Sequence, residues 1–104
     1  MIYVFASVKT RPGTRSQALD IYRSFAPEVL AREQGCLEYS PSVDLDLGLA
    51  NQEIDTDLIM IFERWESIDD FRAHLAMPHT LQFRADISAY LAKSISVKIT
   101  QKAF

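Results

Sequence analysis

The residues able to do chemistry gather in one stretch of the chain. Glu63 and Trp65 stand two apart in the run Phe62-Glu63-Arg64-Trp65-Glu66. In a strand that spacing puts a carboxylate and an indole on one side. His74 follows Phe71 by three residues, and His79 follows Pro78. Tyr39 lies on the run expected to pair with the Glu63 strand. A carboxylate between Ile61 and Trp65 is expected to be partly buried, and a buried carboxylate needs a partner. Arg64, Arg72, Arg84 or a histidine could serve. An apolar cavity reached by a few titratable groups is the usual make-up of a small-molecule site.

Other chemistries find little support. The three glycines are well separated, so no phosphate-cradling loop or dinucleotide fingerprint exists. His74 and His79 are five apart with Pro78 between them, a poor spacing for two ligands on one helix, and no metal site is expected. Cys36 is the only cysteine, which excludes an internal disulfide and a cysteine-based zinc site. Nothing basic adjoins it in sequence, so an inert buried thiol is expected. The net charge is −3 with acids and bases interspersed, which argues against a nucleic-acid partner. No window is long and apolar enough for a membrane span, and the cytoplasm is the compartment expected by elimination.

The elements that must position these groups follow from periodicity. With 104 residues, 48% of them apolar, one domain spanning 1–104 is expected. Residues 2–9 read as an inner strand with apolar side chains on both faces. Thr14 and Gln17 have capping-box spacing, and a helix is expected to start at Thr14. Its inward face is read as Leu19, Tyr22, Phe25, Ala26, Val29 and Leu30, with Pro27 kinking rather than ending it. Gly35 is expected as a left-handed cap. Residues 36–45 then alternate, with Leu37, Tyr39, Val43 and Leu45 on one side. Pro41 marks an edge or a bulge. A polar connection over 46–56 leads to the clearest strand, 57–66. Ser67 and Asp70 form a second capping box. Ile68, Phe71 and Leu75 should face inward on the helix that follows. Pro78 opens another helix, with His79, Phe83, Ile87, Tyr90 and Leu91 on one face. Residues 95–101 close the chain as a strand whose Ile95, Val97 and Ile99 share a side.

The order β-α-β-β-α-β is the α+β, ferredoxin-like arrangement with an antiparallel sheet. Helices can cover one face of such a sheet, yet residues 2–9 and 57–62 are apolar on both. A second copy of the chain is the expected cover, giving a dimeric α/β barrel. The 46–56 connection or the C-terminal tail is the alternative.

Several linked segments resemble one family. Arg32-Glu33-Gln34-Gly35-Cys36-Leu37-Glu38-Tyr39 resembles the E-x-G-C-x-x-Y segment of antibiotic biosynthesis monooxygenase domains. Phe62-Glu63-Arg64-Trp65-Glu66-Ser67 resembles their E-x-W-E-S. Ala73-His74-Leu75 followed by Pro78-His79 resembles their A-H and P-H pair. The likeness spans roughly residues 2–100 and extends to the bacterial quinol monooxygenase branch. It implies a homodimer with a pocket in each subunit, oxygenating a quinol-type aromatic with dioxygen and without metal, flavin or haem. On this resemblance His74 is the base, Trp65 a pocket wall, and Glu63 an orienting carboxylate. Tyr39, His79, Ser7, Phe71 and Phe83 are the candidate substrate contacts. Haem-degrading relatives carry an Asn on the first strand, where this chain has Ser7. Some relatives isomerise or degrade small metabolites instead. Such a reaction on a phosphorylated hydroxy-carbonyl compound would call for an inward-pointing arginine. A non-catalytic aromatic-binding dimer is the third alternative.

Overall fold

The computed structural model describes residues 1–104. Four strands and three helices follow in the expected order: β1 (Ile2–Lys9), α1 (Arg15–Arg32), β2 (Cys36–Ser42), β3 (Leu58–Trp65), α2 (Ile68–Leu75), α3 (Pro78–Ile87) and β4 (Ser96–Gln101). A short 3-10 turn, Ser88–Tyr90, extends α3. The sheet order is β2-β3-β1-β4 with every pairing antiparallel, the ferredoxin-like α+β topology.

Alternation decides what each face carries. Ile2, Val4, Ala6 and Val8 of β1 point to the helices and lie opposite Trp65, Glu63, Ile61 and Ile59 of β3. Tyr3, Phe5, Ser7 and Lys9 point the other way, opposite Arg64, Phe62, Met60 and Leu58. The helices bring Tyr22, Phe25 and Val29 from α1, Phe71 from α2, and Phe83 and Ile87 from α3 onto the first face. The second face carries an aromatic strip, with the Phe62 ring 5.3 Å from Phe5 and 6.2 Å from Tyr3. Phe5 is 39% exposed there.

Several local expectations are overturned. Thr14 makes no side-chain cap; its hydroxyl donates to the Arg11 carbonyl at 2.8 Å instead. Leu30 is exposed, because the inward stripe of α1 runs through Ala18, Tyr22, Phe25, Ala26 and Val29. Gly35 is not left-handed, since only Gly13 and Gly48 have positive φ. What Gly35 provides is room: a Cβ there would sit 2.3 Å from Asp70 Cγ. The alternation read over 36–45 fails because a bulge between Cys36 and Glu38 shifts the register. Cys36 and Tyr39 therefore both face inward and Leu37 is exposed, while Val43 and Leu45 are exposed because β2 ends at Ser42. Ile68 and Leu75 are also exposed, because α2 is short and turns only Phe71 and His74 fully inward. On β4 the expected alternation holds, with Val97 and Ile99 opposite Ala6 and Val4 on the helix-facing side, though both stay about half exposed on that edge strand.

Other expectations hold. α1 runs through Pro27 without ending. Ser67 caps α2 by accepting from the Asp70 backbone N–H at 3.1 Å. Pro78 opens α3. Pro41 lies on an edge strand. No helix is long and apolar enough to cross a membrane.

Candidate active site

A cavity of about 240 Å³ lies between the sheet and the helices. Its walls are mostly apolar. Phe25 and Phe83 stack against each other at 4.1 Å on the helical side, and Phe71 adds a third ring. Val4, Ala6 and Val97 form part of the sheet side.

Five buried polar groups converge on this space: Glu63, His74, Tyr39, Tyr22 and Thr80, whose hydroxyl is 3.4 Å from His74 Nδ1. The strand parity that makes β3 apolar also aims Glu63 inward, where it is 5% exposed. Its Oε1 accepts the Trp65 indole N–H at 2.9 Å. Its second oxygen has no protein partner and is not sealed off, so it opens to the cavity. Burial pushes the Glu63 carboxyl up to about 7, against the lowering effect of the Trp65 hydrogen bond, and the charge of Glu33 adds to the rise. A carboxyl in that range can hold or release a proton near neutral pH.

His74 is 5% exposed, and its ring lies 4.8 Å from that of Trp65. Its Nδ1 is 2.8 Å from Glu33 Oε2. The same oxygen is 2.7 Å from His79 Nε2. An ionised carboxylate only accepts, so both imidazoles donate to it. The proton of His74 is thus on Nδ1, and the Nε2 lone pair is left for the cavity. Burial lowers the His74 pKa, while the hydrogen bond and charge of Glu33 pull it back up; His79 and Arg84 depress it further. The ring is a neutral base held in one tautomer by a carboxylate.

The phenols of Tyr22 and Tyr39 are both pushed upward, first by burial and then by the charge of Glu63. They stay protonated and act as hydrogen-bond donors. Neither hydroxyl has a protein partner, and neither is sealed off. Arg84 stands at the rim. Together these groups can take a proton from a ligand hydroxyl and hydrogen-bond its oxygens.

Of the residues singled out from sequence, Glu63, His74, Tyr39, Phe71 and Phe83 meet at this cavity. Three do not. Trp65 is fully buried behind His74 and Phe71, and supports them rather than forming a wall. His79 faces a separate groove between α1 and α3, beside Glu28 and Asp86. Ser7 is on the opposite face of the sheet, paired with Met60 and Ser96. Tyr22 and Glu33 were missed. Tyr22 is indistinguishable by spacing from the apolar stripe of α1. The sequence pattern runs the helix on past Glu33, whereas α1 ends one residue before it, at Arg32. The spacing argument about the histidines also fails. They sit on different helices, and the break at Pro78 turns both onto Glu33.

Glu33, His74 and His79 are the one cluster of three such donors, with ligand atoms within 4.8 Å of one another. Both nitrogens approach one shared oxygen at hydrogen-bond distance, while the other carboxylate oxygen, Glu33 Oε1, is buried without a partner. Cys36 is buried, and burial with the nearby charge of Glu63 pushes its thiol up to about 12, so it is inert as expected.

The description "Antibiotic biosynthesis monooxygenase" matches residues 1–86. The chain belongs to that family. Family membership assigns it a monooxygenase-type function, that of an oxidoreductase enzyme. It is 42% identical over 81 residues to the "Probable quinol monooxygenase YgiN" of Escherichia coli K12, covering 76% of this chain and 77% of the relative. Among solved structures, a protein from Mycobacterium tuberculosis superposes with a TM-score of 0.81 at 22% identity, covering 99% of this chain and 95% of that one. A conserved protein from Methanosarcina mazei gives 0.82 at 21% identity, covering 97% and 91%. At these identities the two structures speak to the fold.

Proposed function

We propose that the chain is a cofactor-independent monooxygenase of quinol-type or polyhydroxy-aromatic small molecules, working as a homodimer. The carrying observation is His74, whose ring lines an apolar cavity while its Nδ1 lies 2.8 Å from the buried carboxylate of Glu33. The 42% identity to a protein named as a probable quinol monooxygenase supports the same reading. A quinol bound there loses a hydroxyl proton to His74 Nε2. Glu63, Tyr22 and Tyr39 hydrogen-bond its second oxygen. The electron-rich phenolate passes electrons to dioxygen directly, so the protein has to deprotonate, orient and desolvate it. One oxygen atom enters the ring, the other leaves as water, and the quinol supplies all the electrons. No metal, flavin or haem is required by this sequence of steps.

Oxygen uptake by metal-stripped protein with a panel of reduced quinols tests the reading. Consumption should exceed the no-protein rate and survive a chelator. His74→Ala should lower the rate by about 100-fold or more, the usual range for losing a general base. Uptake equal to the blank overturns the assignment, and chelator sensitivity overturns the cofactor-free claim.

Arg84 at the rim favours a second reading, an isomerase or degrading enzyme for a small phosphorylated hydroxy-carbonyl compound. On that reading Arg84→Ala should abolish binding of phosphorylated ligands. On the first reading the same variant should still oxidise uncharged quinols.

A further inference from the structure

We propose that Glu33 and His79 form, with His74, a proton relay running from the cavity to the groove between α1 and α3. The proposal rests on the reading of His74 as the base. It concerns where the proton goes next, and neither Glu33 nor His79 touches the substrate.

Three observations carry it. The cavity and the groove are lined by different histidines, His74 on one side and His79 on the other. One carboxylate oxygen, Glu33 Oε2, touches both rings, at 2.8 and 2.7 Å. The outer nitrogens, His74 Nε2 and His79 Nδ1, have no protein partner and are not sealed off. The path thus has an open nitrogen at each end and a buried carboxylate, 4% exposed, in the middle. Glu33 Oε1 is sealed and without any partner, so the carboxylate bonds through the bridging oxygen alone.

The charges favour transfer. A buried carboxylate between two neutral rings would leave an uncompensated charge, which is costly. With His79 doubly protonated the cluster is neutral. His74 takes the substrate proton at Nε2 and passes its Nδ1 proton to Glu33 Oε2. His79 releases its Nδ1 proton to water in the groove. The cluster then holds two neutral rings and a carboxyl group, and is neutral again. One proton enters, one leaves, and no net charge builds up in the interior. The groups facing the two ends suit this direction. Glu28 and Asp86 line the groove where the proton leaves. Arg84 at the cavity rim, which depresses the His74 pKa, disfavours an imidazolium left beside it. A reverse pass takes a proton from water in the groove, returns one through His74 Nε2 to the oxygen atom that leaves as water, and restores the starting state.

Steady-state quinol oxidation by wild type, His79→Ala and His79→Gln tests the relay, with imidazoles of graded basicity as added buffers. His79→Ala should lower kcat by about 10–100-fold with KM little changed. Imidazoles should restore the rate in order of basicity, and pyrazole, of the same shape but far weaker as a base, should not. Unchanged kcat in both variants, or rescue by pyrazole equal to that by imidazole, overturns the relay while leaving His74 as the base. If wild type oxidises no quinol, the functional reading fails separately. The relay is then judged on the free wild-type protein by ¹⁵N spectra of the histidine rings. In the resting cluster His74 should be protonated on Nδ1 only, and His79 on both nitrogens. Two singly protonated rings would overturn it.

Discussion

Glu63 gives up hydration on folding and receives only one hydrogen bond, from Trp65, in return. Burial therefore dominates, and its carboxyl rises from an ordinary 4.5 to about 7. Between those values the folded chain keeps a proton that the unfolded chain has released. The associated stability is fully present below the unfolded value and is lost as pH rises through about 7. The loss is at most about 3 kcal/mol, a shift of this size converted at the standard rate per pH unit. His74 acts in the opposite sense, since its lowered pKa favours folding as pH rises. The Glu63 contribution is isolated by comparing wild type with Glu63→Gln, whose amide oxygen still accepts from Trp65. Urea unfolding at pH 5 and pH 8 should show the variant gaining on wild type at the higher pH. Parallel pH dependences in the two proteins would place the titration elsewhere.

At the scale of elements, α2 is what brings His74 to the cavity, and its position depends on how closely the turn before β2 approaches it. Gly35 makes that approach possible, because any side chain there would meet Asp70 at the start of α2, with Cβ atoms 2.5 Å apart. Asp70 cannot easily withdraw. Its backbone N–H is held by Ser67 Oγ, and its carboxylate accepts from the same hydroxyl at 2.8 Å. Gly35→Ala is expected to destabilise the fold by about 1–3 kcal/mol, the usual cost of forcing atoms into a packed contact. It should also lower turnover by shifting α2. Urea unfolding measures the first effect, and a change below about 0.5 kcal/mol would show that the turn can yield. The need for this glycine is legible in the sequence, but its reason is not. A close approach between residues 35 apart leaves no local signal, whereas a left-handed cap would have had one. The same division runs through the chain. β1 and β3 were readable because strict alternation survives in them, and with it the inward aim of Glu63. β2 is harder to read because one bulge breaks the alternation between Cys36 and Tyr39 and the strand stops at Ser42. His74 and Tyr39 could be placed near the cavity from periodicity and topology, with Phe71 and Phe83. The junction of His74, Glu33 and His79 could not, because three separate elements make it.

At the scale of the whole molecule, the two faces of the sheet end differently. One is closed by helices over the cavity. The other leaves Tyr3, Phe5, Leu58, Met60 and Phe62 without a covering layer from this chain. Lys9 on that face pairs with Asp55 at 2.5 Å, so the connection between β2 and β3 is tied at its margin. The aromatic centre keeps Phe5 39% exposed. A chain of 104 residues buries a modest share of its surface alone, and a second copy can cover this face with its own equivalent strip. Two-fold symmetry makes a charge at the centre doubly unfavourable, since each copy places it against the other or against desolvated rings. Phe62→Glu should therefore weaken the dimer by more than about 100-fold, given that an unpaired buried charge costs several kcal/mol. Light scattering at micromolar concentration should show wild type at twice the chain mass and the variant at the chain mass. Because the cavity is on the other side of the sheet, a monomeric variant should keep the Trp65 environment by near-ultraviolet circular dichroism. A wild-type monomer, or a Phe62→Glu dimer, would mean that this face is not where two copies meet.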